Sequence, residues 1–243
     1  MVTRSQPSTS PRKIYGRRKG PALSARKQRL FDTVLPRVSL DLPPAGTTLD
    51  PAGPFARPVR AVWLEIGFGK GEHLAWQARR HPDVGFIGCE PYINGMAGLL
   101  AAIDGDGGDD TLTNIRVYGD DARDVLAALP DASLDRVFLL HPDPWPKSRH
   151  AKRRFVNPDT LDALARVMAD GGELRIGTDH PVYRRWTAMQ MARRTDFRWL
   201  ADRAADWRTR VPDWPQTRYE AKARGEGRDS TYFRYCRCPR CAG

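Results

Sequence analysis

The chain has 243 residues, 40% of them apolar, enough for one sizeable α/β domain with appendages. Its 40 Lys and Arg against 29 Asp and Glu leave a net charge of +11, the balance of a protein that meets a polyanion. The sequence shows no apolar run of about eighteen residues and no hydrophobic N-terminal core, so a membrane span and a signal peptide are not expected. The four cysteines do not form a disulfide framework, and a reducing cytoplasm is the expected location.

Residues 1–22 read as a disordered basic arm. Arg4, Arg12, Lys13, Arg17, Arg18, Lys19, Arg26, Lys27 and Arg29 all precede the first acid, Asp32. Nucleic acid is the expected partner, because the arm lacks the amphipathic apolar face a membrane surface needs. A helix is expected over 23–35, and a Pro- and Gly-rich linker over 42–58. From 59 to 236 a regular alternation defines the main domain, and 237–243 is a short Cys-containing tail. Strands are expected at 59–66, 84–89, 115–118, 134–140 and 173–177, and helices at 72–80, 93–103, 122–129 and 182–194. Residues 104–110 read as a Gly/Asp surface loop. Asn157 and Pro158 start a further helix that Asp170-Gly171-Gly172 is expected to end. Residues 197–200 and 231–236 read as two closing strands, antiparallel to each other. Repeated β-α alternation implies a mainly parallel sheet with helices on both faces.

The first strand runs into EIGFGKGEH, residues 65–73. Gly67, Gly69 and Gly71 allow a tight strand-to-helix turn and close approach of backbone to a ligand. The spacing is not that of the dinucleotide fingerprint, and Lys70 is not followed by Ser or Thr as in a phosphate-cradling loop. Glu65 would repel a pyrophosphate and suits a ligand with a cationic end. Glu90, in GCEPY at the end of the second strand, is placed to bond a ribose hydroxyl pair. Asp120 and Asp121 follow the third strand, where an adenine amino group would lie; Asp121 is equally suited to cap the helix from Ala122. Three carboxylates at successive strand ends match S-adenosylmethionine, whose sulfonium and ammonium are positive.

The fourth strand ends in HPDPWPKSRHAKRR, residues 141–154. A rigid Pro-Asp-Pro-Trp turn presents Asp143 at a fixed place. Lys147, Arg149, Lys152, Arg153 and Arg154 follow, a set expected to hold phosphates. Trp145 either stacks on a base or packs the loop.

Together these segments resemble the bacterial tRNA (guanine-N7)-methyltransferases over residues 12–235. The resemblance rests on EIGFGKGEH, GCEPY, DARDVL from Asp121, HPDPWPKSRHAKRR, TDHPVY from Thr178 and TRYEAKARGEGR from Thr217, and more loosely on RKIYGRRKG from Arg12. It implies a Rossmann-like class I S-adenosylmethionine-dependent fold, with a mainly parallel seven-stranded sheet. It further implies methyl transfer from S-adenosyl-L-methionine to N7 of a guanine in the variable loop of tRNA. By the same resemblance, Glu65, Gly67, Gly69, Gly71, Glu90, Asp121 and Asp143 hold the cofactor, and Asp143 also serves the chemistry. Lys147, Asp179, Thr217, Arg218, Tyr219 and Glu220 would contact the substrate. His141 stands where an apolar or aromatic residue is common, and Arg218-Tyr219 replaces a Lys-Phe-like pair.

Guanine N7 has a lone pair and no proton, so its methylation needs alignment and charge stabilisation rather than a general base. Asp143 could accept from guanine N1 and N2 and offset the developing cation, or only orient the cofactor. Asp179 either reads guanine or caps the helix after His180, and Glu220 is a further candidate. No metal and no obligate protein partner are expected. Cys236, Cys238 and Cys241 fall short of four zinc ligands. A non-catalytic RNA-binding protein on this fold is the alternative, together with a methyltransferase for another base. The Asp/Asn-Pro-Pro-aromatic turn of amino-methylating enzymes is missing from the fourth strand.

Overall fold

The computed structural model describes residues 14–44, 46–105 and 112–240. The expected Gly/Asp loop at 104–110 falls largely outside the described residues, as do residues 1–13 of the arm and Cys241.

Seven strands form one sheet in the order β3-β2-β1-β4-β5-β7-β6. They are β1 (Ala61–Ile66), β2 (Val84–Cys89), β3 (Ile115–Tyr118), β4 (Leu134–Leu140), β5 (Met168–Thr178), β6 (Phe197–Trp199) and β7 (Thr231–Arg237). β1 to β5 pair in parallel, while β7 runs antiparallel to both β5 and β6. The mainly parallel seven-stranded sheet and its antiparallel closing pair are as the sequence predicts.

Side chains of successive β residues point to opposite faces, and the core divides accordingly. Val62, Leu64 and Ile66 join one buried cluster, with Val125, Leu126, Leu161 and Leu164. Those four lie on α5 (Ala122–Ala128) and α6 (Pro158–Val167). Ala61 and Trp63 join the other, with Leu74, Leu99 and Leu100. These come from α3 (Glu72–Arg80) and α4 (Ile93–Ile103). Leu30 extends that second cluster from α1 (Ala25–Thr33), whose first turn is capped by Ser24; α2 (Leu35–Val38) follows. α7 (Pro181–Met191) lies between β5 and β6.

Two local expectations are corrected. α6 starts at Asn157 in a full capping box with Thr160, but it ends at Val167. Asp170-Gly171-Gly172 lies inside β5. Met168 is already extended and pairs with Leu134, whereas Arg136 pairs with Glu173. The surplus residues of β5 form an irregularity that Gly171, at φ 83°, accommodates. Residues 14–22 of the expected disordered arm are instead held against the body. Arg18 offers its carbonyl to Ile93 N and its guanidinium to Asp120, 3.1 Å away, and Pro21 O accepts from Asn94.

Residues 201–230 also hold structure that the sequence reading does not assign. Trp214 is fully buried, and Asp213 accepts from Arg175 at 2.7 Å. α8 (Ala205–Arg208) precedes these anchors, which lead on to α9 (Arg218–Gly225), and α9 lies over the glycine loop.

Candidate active site

The carboxyl ends of β1, β2, β3 and β4 open into a cavity of about 410 Å³. Its wall contains Gly67, Gly69, Glu90, Asp121, His141, Asp143 and Tyr219, together with Tyr15 and Gly16 of the arm.

The glycine loop has the shape its residues allow. Gly67, Gly69 and Gly71 have φ of 71°, 59° and 77°, a region that side chains disfavour. A Cβ on Gly71 would stand 2.6 Å from Leu99, and one on Gly69 3.0 Å from the Tyr219 ring. Gly71 then leads directly into α3.

Glu90 braces this loop from β2. Its Oε2 accepts from Gly69 N at 2.7 Å and its Oε1 from Tyr92 N at 2.9 Å. Burial pushes its pKa up, and the two amide hydrogen bonds only partly oppose this. Asp121 caps α5 through Arg123 N and is clasped by the Arg123 guanidinium. It therefore both caps the helix and lines the cavity.

Asp143 differs from these two. It stands on the Pro-Asp-Pro-Trp turn next to Gly16 in the cavity wall; the residue keeps solvent access, but partial desolvation of its carboxyl raises its pKa, with no hydrogen bond or ion pair to lower it among the described residues. The turn is strained at both ends, with His141 at φ 49° and Trp145 at φ 42°. Arg154 holds it in place: the buried guanidinium donates to Pro144 O at 3.1 Å and Trp145 O at 2.9 Å, and lies 4.6 Å from the Trp186 ring centre.

The expected five-cation phosphate set therefore divides. Arg154 is structural. Lys152 and Arg153 line the cavity, whereas Lys147 and Arg149 are exposed outside its wall. Arg153 lies 4.9 Å from the ring centres of both Tyr15 and Trp145, so Trp145 packs the loop and the arm.

Other expected site residues are placed away from the cavity. Glu65 is fully buried and faces α3, where His73 Nδ1 donates to its Oε2 at 2.6 Å. Gln77 donates to His73 Nε2 at 3.2 Å and to Asp213 O at 2.7 Å. This buried chain ties the end of β1 to the segment that carries α9. Asp179 accepts from His141 at 3.3 Å and from Arg228 at 2.8 Å, and these bonds hold its carboxyl well below the usual range. His180, rather than Asp179, caps α7.

Of the run 217–220, only Tyr219 reaches the cavity, where its ring lies 6.5 Å from that of His141, nearly parallel. Thr217 caps α9 through Glu220 N, Arg218 pairs with Glu72 at 2.6 Å, and buried Glu220 accepts from Tyr232 at 2.6 Å. Sequence reasoning did not find the roles of His73, Gln77, Arg228 and Gly16. Gln77, Arg228 and Gly16 meet partners distant in the chain, whereas His73 meets Glu65 across the glycine turn, and only Thr217-x-x-Glu220 carries a recognisable local signal, that of a helix start.

A mainly parallel sheet with a glycine turn after its first strand and acids at the next three strand ends defines a class I S-adenosylmethionine-dependent methyltransferase. A family described as putative methyltransferase matches residues 59–233. The tRNA (guanine-N(7)-)-methyltransferase of Rhodospirillum rubrum is 51% identical over 236 residues, covering 96% of this chain and 91% of its own. That of Zymomonas mobilis subsp. mobilis is 50% identical, covering 93% and 94%. The chain belongs to the tRNA (guanine-N7)-methyltransferase family. The crystal structure of the 16S rRNA methyltransferase KamB superimposes with a TM-score of 0.50 at 16% identity, over 74% of this chain and 89% of that one, a likeness of fold alone.

Proposed function

We propose that the protein transfers a methyl group from S-adenosyl-L-methionine to N7 of a guanine in the variable loop of tRNA. The observation that carries this reading is Asp143, a carboxylate with no hydrogen-bond or ion-pair partner among the described residues, on a braced turn in a cavity that Glu90 and Asp121 also line, with Lys152 and Arg153 in the same wall. Family membership supports the substrate class.

The residues fit the cofactor. Gly67 and Gly69, both at positive φ and in the wall, let backbone approach it closely, while Gly71 lies outside the wall; Glu90, Asp121 and Asp143 set carboxylates where a sulfonium and an ammonium need them. Bound there, the cofactor supplies an electrophilic methyl. Glu90 holds the glycine loop and offers its remaining lone pairs to the ribose. Asp121, braced by Arg123, serves the nucleoside end. Glu65 acts from behind, fixing the loop through His73.

Asp143 accepts from the N1 and N2 hydrogens of guanine and offsets the positive charge that reaches the ring as N7 bonds to carbon. No proton leaves in this step, so no general base is required. Tyr219 closes the cavity over Gly69. Lys152, Arg153 and the exposed Lys147 and Arg149 hold phosphates around it.

Transfer of labelled methyl to bulk bacterial tRNA, followed by nucleoside analysis, tests the reading. The expected product is 7-methylguanosine. Label in another nucleoside overturns the base assignment, and cofactor binding without transfer to tRNA overturns the substrate.

A further inference from the structure

A second cavity, of about 580 Å³, lies on the other side of α9 from the first. That volume is within the range of small-molecule sites. The two cavities share a partition. Tyr219 faces one and its neighbour Glu220 the other. Asp179 crosses between them, accepting from His141 in the first wall and from Arg228 in the second.

The second wall holds four arginines, Arg184, Arg208, Arg224 and Arg228, against two acids, Glu220 and Asp229, which leaves it with a charge of +2. The distribution matters more than the sum. Glu220 is occupied from within by the Tyr232 hydroxyl at 2.6 Å and by Arg210 at 3.5 Å. Arg228 is spent on Asp179 and Glu226. Arg224 reaches Glu220 only at 3.8 Å. Arg184 and Arg208 have no acidic partner among the described residues, and Arg208 lies 4.8 Å from the ring centre of Trp207. An aromatic face holds a guanidinium in place without neutralising it, so its donors remain available to an anion. Both arginines are exposed, and neither is needed by the core.

We propose that this cavity binds the backbone phosphate of a nucleotide adjacent to the methylated guanine, with Arg184 and Arg208 as its principal ligands and Arg224 assisting. The proposal rests on the tRNA reading above and adds a subsite to it. Its position fits that use: Tyr219 of α9 stands in the wall of the first cavity, its neighbour Glu220 in the wall of the second, and Arg184 and Arg208 line that second wall.

The test compares wild type with Arg184→Gln/Arg208→Gln and with Arg185→Gln/Arg193→Gln, a control that removes the same charge outside the cavity. Three quantities are measured for each: the KM for tRNA, the slope of log tRNA affinity against log salt, and the affinity for S-adenosylmethionine. In the cavity variant, the KM for tRNA is expected to rise about tenfold and the slope to shrink by about 0.7–0.9 for each phosphate no longer neutralised. Cofactor affinity stays at the wild-type value. The control pair changes the KM less than threefold. Equal effects in the two pairs, or an unchanged slope in the cavity variant, overturn the proposal. If wild type binds tRNA but does not methylate it, the functional reading fails while the slopes still decide the cavity. If wild type does not bind tRNA, both fail.

Discussion

Replacing Arg154 with Gln separates a structural arginine from a phosphate-binding one. The arginine is 4% exposed, donates to two carbonyls of the Pro144–Trp145 turn and packs on Trp186. A hydrogen bond from a charged donor contributes roughly 1.5–3 kcal/mol. The lower figure applies here, because both carbonyls belong to half-buried residues that water can reach in the variant. Two such bonds and a cation–π interaction of about 0.5–1 kcal/mol give about 3.5–4 kcal/mol. For a chain of this size each kcal/mol moves the melting temperature by about 2–4 °C, so a fall of at least about 7 °C is expected. Differential scanning calorimetry reads it. Asp143 rides on the same turn, so kcat falls as well, while the salt dependence of tRNA binding is unchanged. Lys152→Gln should do the reverse, with an unaltered melting temperature and a shallower salt slope. If Arg154→Gln melts within about 2 °C of wild type and lowers the salt slope, the structural assignment of Arg154 is wrong.

Gly71→Ala places a Cβ 2.6 Å from Leu99 on a backbone with φ 77°. Left-handed strain of about 1–2 kcal/mol and overpacking of about 1–3 kcal/mol should appear in urea denaturation, with at least tenfold weaker cofactor binding by calorimetry. Tyr219→Phe should keep near wild-type kinetics, whereas Tyr219→Ala removes the wall over Gly69 and should raise the cofactor KM about tenfold. The pH dependence follows from Glu90 and Asp143, whose carboxyls burial raises above their ordinary values of 4.5 and 3.8. The folded protein then binds more protons than the unfolded chain between those values and the raised ones. Their contribution to stability therefore decreases as pH rises through that window. A cationic ligand favours the ionised pair, so affinity for S-adenosylmethionine should fall as pH drops through the same window, and Glu90→Gln should flatten the profile. Asp179 has the opposite sign: its depressed pKa gives stability that is present above 3.8 and lost as pH falls toward the depressed value. Arg228→Gln should shrink that acid-side loss in a series of melts.

The strands and most helices were legible because their signals are local. Leu64 and Ile66 alternate with Trp63, Asn157-Pro158 caps α6, and the glycines sit where β1 must turn into α3. The cavity was legible for the same reason, since Glu90, Asp121 and Asp143 each follow the end of a parallel strand. What could not be read is what the side chains do with distant partners. Arg154 belongs to a run of cations, and only the fold shows it buried beneath its own turn. Glu65 looks like its fellow acids in sequence, yet β1 alternation turns it towards His73. The arm at 14–22 is basic enough to read as disordered, but Ile93 N and Asp120 hold it down. α9 was missed because its apolar content is low; its cap, Thr217 with Glu220, is the one signal that would have found it.

The central claim is that guanine N7 in the variable loop of tRNA receives the methyl group. The most direct test uses a tRNA whose variable-loop guanines are replaced by 7-deazaguanine, which removes the N7 lone pair and leaves N1, N2 and the backbone intact. Labelled S-adenosylmethionine is supplied, and both binding and transfer are measured. The expected result is tRNA affinity within about twofold of the unmodified tRNA and no transfer of label. Transfer at the unmodified rate would contradict it.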